Sequence, residues 1–92
     1  MIINFKDEQA QALFKGERAK KLPTEIQKAA RRKLAYLHAA EELDDLRVPA
    51  GNHLEALKGD LAGLHSIRIN KQWRIVFRWH GGAEGVRIVD YH

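Results

Sequence analysis

The stretch "GVRIVDYH" runs an apolar alternation straight into Asp90, Tyr91 and His92, three side chains that can each hold or move a proton. Termini fray unless something ties them down, so such a triplet at the end of a strand-like segment asks for an explanation. Two cations could join it: Lys58, in front of Gly59, and Arg74, inside "WRIVFRW". Cleaving RNA by internal attack needs a base for the 2′-hydroxyl proton, a cation at the phosphorane oxygens and an acid for the 5′-oxygen. Histidine titrates nearest neutrality and suits acid or base work, and the planar fork of arginine suits a phosphate. Each residue also has an ordinary structural reading. Lys58 can be a solvated turn lysine, Arg74 and Arg78 salt-bridge donors, Asp90 a partner of Arg74 or Arg87, and His92 a frayed end.

Other chemistries have less support. The chain has no cysteine, which removes disulfides, thiolate metal sites and a cysteine nucleophile. Its five histidines, at 38, 53, 65, 80 and 92, show no H-E-x-x-H or close ligand pairing, so no metal site is expected. Gly81, Gly82 and Gly85 sit in a hairpin-like stretch, not between a strand and a helix, so they do not read as a dinucleotide loop. No cofactor is expected, and acid–base phosphoryl chemistry is the enzyme class that remains.

The elements that must position these groups follow from periodicity. In 92 residues there is room for a single domain, 1–92, with one modest core. The composition, 45% hydrophobic and 30% charged, is that of an ordinary globular protein. "MIINF" is β-prone, and Asp7 is placed to cap a short helix carrying Ala10, Leu13 and Phe14, with Gly16 as its stop. Thr24 and Gln27 have capping-box spacing ahead of a longer helix with Ile26, Ala30, Leu34 and Leu37 on one face. Its other face carries Lys28, Arg31, Arg32 and Lys33, read either as a solvated face or as a stripe for RNA or a partner. "EELDDLRVP" adds an acidic helical turn ended by Pro49.

From residue 50 the period changes to two. His65, Ile67 and Ile69 alternate with Ser66 and Arg68, and Trp73, Ile75, Phe77 and Trp79 alternate with Arg74, Val76 and Arg78. Helices followed by an antiparallel sheet predict an α+β domain with one sheet face against the helices. The aromatic set of the third segment then packs inward and turns Arg74 and Arg78 outward. On the last strand Asp90 and His92 share one face, with Tyr91 on the other or at its edge.

A net charge of +4 and a pI near 9.6 favour a polyanionic partner if the charge is gathered on one face. No signal peptide or apolar run of about 18 residues is visible, so a cytoplasmic protein without a membrane partner is expected.

The motifs "LKGD", "SIRINKQWRI" and the terminal "DYH", together with "FKGERAKKLP", "ARRKL" and "DLRVPAGN", resemble those of the HigB-type toxins of the RelE/ParE superfamily, the plasmid-maintenance killer proteins. The resemblance covers essentially the whole chain. It implies a RelE-like small domain with N-terminal helices on one face of a twisted, mainly antiparallel sheet. It implies a metal-independent, ribosome-dependent endoribonuclease that cuts translated mRNA and arrests growth. It also implies a helix-turn-helix, HigA-like antitoxin that inhibits the toxin and links it to promoter DNA only indirectly. Lys58, Arg74, Asp90, Tyr91 and His92 fall on the family's active-site positions, and Lys28, Arg31, Arg32, Arg68 and Arg78 are the expected RNA- or ribosome-facing cations. Some relatives have a histidine three residues before the catalytic lysine, where this chain has Glu55. The competing function is a basic RNA- or protein-binding module, or a toxin-like scaffold that only binds its antitoxin.

Overall fold

Asp7 does two jobs at the start of the chain. Its Oδ1 accepts the Gln9 amide at 2.9 Å and caps helix α1 (Glu8–Phe14), and its Oδ2 accepts the Ile88 amide at 3.0 Å. The cap thus also fastens the helix to the last strand. A computed structural model describes residues 1–91 of the chain. "MIINF" does not form a full strand: Ile2 and Phe5 make single parallel bridges to Ala83 and Val86. Gly82 lets this segment come close, since a Cβ there would lie 2.8 Å from the Met1 carbonyl oxygen.

Helix α2 (Thr24–Ala39) buries Ile26, Ala30, Leu34 and Leu37, as the spacing predicts. The expected capping box does not form. Pro23 is the N-cap, and the Gln27 side chain turns inward instead. Gln27 Oε1 accepts the Ala19 amide at 3.2 Å, and Nε2 donates to the carbonyls of Ala19 at 2.8 Å and Leu22 at 3.0 Å. A buried amide must be satisfied, and the connector before the helix supplies the partners.

Lys33 is a second departure, because it leaves the charged outer face. It lies three residues after Ala30 and one before Leu34, which puts it on the buried stripe itself. There its Nζ donates to Asn52 Oδ1 at 2.6 Å and sits 5.6 Å from the centre of the Tyr36 ring.

The acidic segment forms a 3-10 turn, Leu43–Arg47, with Leu46 buried. Four antiparallel strands follow in sheet order: β1 (Glu55–Ala56), β2 (Leu64–Arg68), β3 (Trp73–Trp79) and β4 (Ala83–Asp90). The hairpin stretch "HGGAEG" is therefore shorter as a turn than its glycines suggest, because β4 already begins at Ala83. Ile67, Ile75, Phe77 and Val86 pack with Leu13, Leu34 and Leu37 into the core, and Trp73 and Trp79 close its edges. The result is the α+β, RelE-like arrangement of two helices on one face of an antiparallel sheet. No helix among the described residues is long and apolar enough to cross a membrane.

Candidate active site

Strand alternation sets the site. Ile75 and Phe77 point to the helices, so Arg74, Val76 and Arg78 belong to the opposite face. Arg74 pairs with Arg68 on one side and Val89 on the other, and Ser66 pairs with both Glu55 and Val76. This face is not simply solvated: Ser66 is 0% and Val76 2% exposed, and the Arg74 side chain only 12%. Long basic stems cover apolar surface here while their heads stay near water.

The guanidinium of Arg74 is held from several directions. Nη1 donates to Ser66 Oγ at 2.9 Å and to the His53 carbonyl at 3.2 Å, while Nη2 lies 3.2 Å from Glu55 Oε1. Its Cζ is 5.4 Å from the centre of the Tyr91 ring, within cation–π range. Of five N–H donors, these contacts leave Nε and one hydrogen of Nη2 for a further acceptor. The site is a fixed cation with an aromatic plane beside it, suited to a phosphate and its attached base.

The loop that presents His53 and Glu55 is itself anchored. His53 adopts left-handed backbone (φ 44°), directly after the fully buried Asn52. Asn52 Nδ2 donates to the carbonyls of Leu46 at 3.1 Å and Val48 at 3.4 Å, and its Oδ1 takes the Lys33 bond. Burial, and secondarily the charge of Arg32, holds the Lys33 ammonium below the usual lysine range. A line of contacts thus runs from α2 through Asn52 to the groups that grip Arg74.

Of the other residues expected in the site, Tyr91 is brought to Arg74. Asp90 pairs in register with Trp73, and by alternation its side chain leaves the sheet on the side away from Arg74. Its two carboxylate oxygens each accept from Gln72 Nε2 at 3.2 Å, and the next amide, that of Tyr91, donates to the Gln72 carbonyl at 2.6 Å. Arg74 pairs with Glu55, and Arg87 Nη1 donates to the Gly85 carbonyl at 2.9 Å. Lys58 is exposed just after β1 and before the 3-10 turn Gly59–Leu61. His92 lies outside the described residues.

The cations expected to face RNA or the ribosome fall on two sides of the molecule. Lys28, Arg31 and Arg32 are exposed on α2, with Arg31 donating to the carbonyls of Leu13 at 3.0 Å and Glu17 at 3.1 Å. Arg68 and Arg78 share the face of Arg74. Sequence reasoning missed Glu55, Ser66 and Gln72 as partners of the site. The signal for Ser66 was its place in the alternation of β2, on the same side as Arg68. His65 stacks on Phe77 on the helix side, with ring centres 6.3 Å apart, and so stands away from Arg74. No cluster of three or more potential metal ligands occurs among the described residues.

Residues 3–92 match the family described as the RelE-like toxin of type II toxin–antitoxin system HigB. Toxin HigB-1 of Vibrio cholerae serotype O1 is 40% identical over 93 residues, covering 100% of this chain and 98% of that protein. An uncharacterized protein of Haemophilus influenzae is 32% identical over 90 residues, covering 97% of this chain and 89% of its own. A family match over nearly the whole chain and a full-length relative, on a fold of the matching type, establish that the chain belongs to the HigB family of RelE-like toxins from type II toxin–antitoxin systems.

Proposed function

We propose that this toxin is a metal-independent endoribonuclease that cuts messenger RNA during translation. The observation that carries the proposal is the Arg74 guanidinium, fixed by Ser66 and the His53 carbonyl and lying against the Tyr91 ring. Arg74 clamps the scissile phosphate and stabilises charge as the phosphorane forms, and Tyr91 stacks on or orients the adjoining base. Lys58 acts as electrostatic stabiliser or proton donor from the β1 edge. The base that takes the 2′-hydroxyl proton is His92, since Asp90 leaves the sheet on the side away from Arg74, and the tail of the chain thus supplies part of the site. A small open face cannot bend RNA into line by itself, and the ribosome supplies that geometry. The partner that restrains the toxin is a HigA-like helix-turn-helix antitoxin, and the setting is the cytoplasm.

The test is expression of the intact chain in bacteria, with 5′ ends mapped on a translated message and on a copy that cannot be translated. New ends confined to the translated copy, accompanied by growth arrest, are expected. Equal cutting of both copies would refute ribosome dependence. No cutting of either would leave a binding module in place of an enzyme.

A further inference from the structure

The face that carries Arg74 continues beyond it. Arg78 lies four residues further along β3, and Arg87, the cross-strand partner of Val76, lies between the two. With Lys6 of the N-terminal segment, Arg78 and Arg87 line a cavity of about 340 Å³ whose wall also includes Asn4, Leu64 and Glu84. Three cations therefore face one carboxylate. Ion pairs among the described residues join Arg47 to Asp44 and Arg74 to Glu55, and neither Arg78 nor Lys6 takes part in one. Gathering cations without matching anions works against folding through self-repulsion, so the cluster calls for an anion from outside.

Two details show how the cluster is arranged. Gly63 has φ 93°, and a Cβ there would stand 3.1 Å from Arg78 Nη1, so the bare turn leaves room for the guanidinium to lie against it. Arg87 is tied at one end by its bond to the Gly85 carbonyl, which directs the head of a long side chain. The spacing also matters. Two strand residues advance about 6.7 Å, so along the strand direction Arg74, the Val76–Arg87 pair and Arg78 come at successive steps of that size, with Arg87 one strand to the side, and a phosphate backbone crossing this face meets a cation at each step. Guanidinium forks match phosphate oxygens.

We propose that this cavity binds the backbone phosphates of the RNA strand on one side of the bond held at Arg74, through Arg87, Arg78 and Lys6. The proposal rests on the reading of Arg74 as the phosphate clamp, because it takes its occupant to be the continuation of the same strand.

The experiment measures binding of fluorescent 2′-O-methyl RNA, a dinucleotide and an octanucleotide, to the intact chain and to its Lys6→Gln/Arg78→Gln double variant. A methylated strand has no 2′-hydroxyl to attack, so binding is read apart from cutting. The octanucleotide is expected to bind the parent more tightly than the dinucleotide does. The double variant should lose about tenfold affinity for the octanucleotide, with a salt slope shallower by about 1.4, two single-strand phosphate contacts' worth. Its affinity for the dinucleotide should not change. Equal affinity and slope in parent and variant would overturn the proposal, as would a parent that binds both lengths equally. Displacement of the octanucleotide by polyglutamate as readily as by unlabelled RNA would assign the cavity to an acidic peptide and also overturn it. A parent that binds as expected but cuts no message would refute the proposed cleavage alone. A parent that cuts while its variant binds unchanged would refute the cavity alone.

Discussion

The two faces of the sheet come from the same strands, one residue out of step, and they are buried by different means. On one face Ile67, Ile75, Phe77 and Val86 disappear beneath α1 and α2. On the other, Ser66 and Val76 are just as inaccessible, yet the groups over and around them are polar side chains: Arg74 bonds to Ser66 and Arg87 pairs with Val76. The first face is held by apolar contact and could exchange one hydrophobe for another at modest cost. The second is held by hydrogen bonds to particular oxygens and keeps charge close to water. The difference teaches that burial alone does not mark the core in this small domain. What lies above a buried residue decides whether it serves folding or the site.

The sharpest way to break this contrast is at Phe77, the largest fully buried side chain of the helix side. Phe77→Ala should cost about 3–5 kcal/mol in urea unfolding, from lost transfer energy and the cavity left behind. Cleavage per folded molecule should stay at the parental level, since the residue faces away from Arg74. A small stability loss would mean that the helices do not carry the fold.

A middle-sized effect is expected at Lys33, where α2 meets the loop of the second face. Lys33→Met leaves the buried Asn52 Oδ1 without its donor, at a cost of about 1–3 kcal/mol near neutral pH. The sign of the pH effect follows from the lowered value of Lys33 in the folded chain. Between that value and 10.5 the unfolded chain holds the proton more tightly, so this lysine makes stability rise with pH across that window. The variant should lose that part of the slope, as seen in urea midpoints across the alkaline range.

The smallest effect is expected at Glu55, whose side chain is about half exposed in its pair with Arg74. Glu55→Gln should change stability by less than about 1 kcal/mol, as exposed ion pairs do. It should tighten binding of a methylated dinucleotide by about two- to fivefold, because Arg74 no longer shares its charge. Weaker binding would make Glu55 a required orienting group for Arg74.

Much of this could be read from the sequence, because the relevant signals are local. The α2 stripe and the alternation of β2 and β3 follow from spacing alone, and the aromatic set of β3 was enough to turn Arg74 away from the helices. The misreadings concern partners far apart in sequence. Lys33 looked like a surface cation because its acceptor, Asn52, is 19 residues away. Gln27 has capping-box spacing, yet the connector before the helix competed for its amide. Glu55 stood out only as a departure from the family pattern. Its role depends on the register of a two-residue strand, which no periodicity reveals. Asp90 was expected to converge with Arg74, but the pairing of β3 with β4 turns it to Gln72.

The central claim is that Arg74 serves chemistry on RNA and contributes little to the fold. The most direct measurement compares the parent with Arg74→Ala, recording the unfolding free energy and the rate of message cutting in one translating extract. Stability should fall by about 1–2 kcal/mol, the scale of leaving the Ser66 hydroxyl without its partner. Cutting should fall about a hundredfold, close to the ≈3 kcal/mol carried by one transition-state charge contact. A variant that unfolds far more easily than this, or one that cuts at the parental rate, would contradict the account.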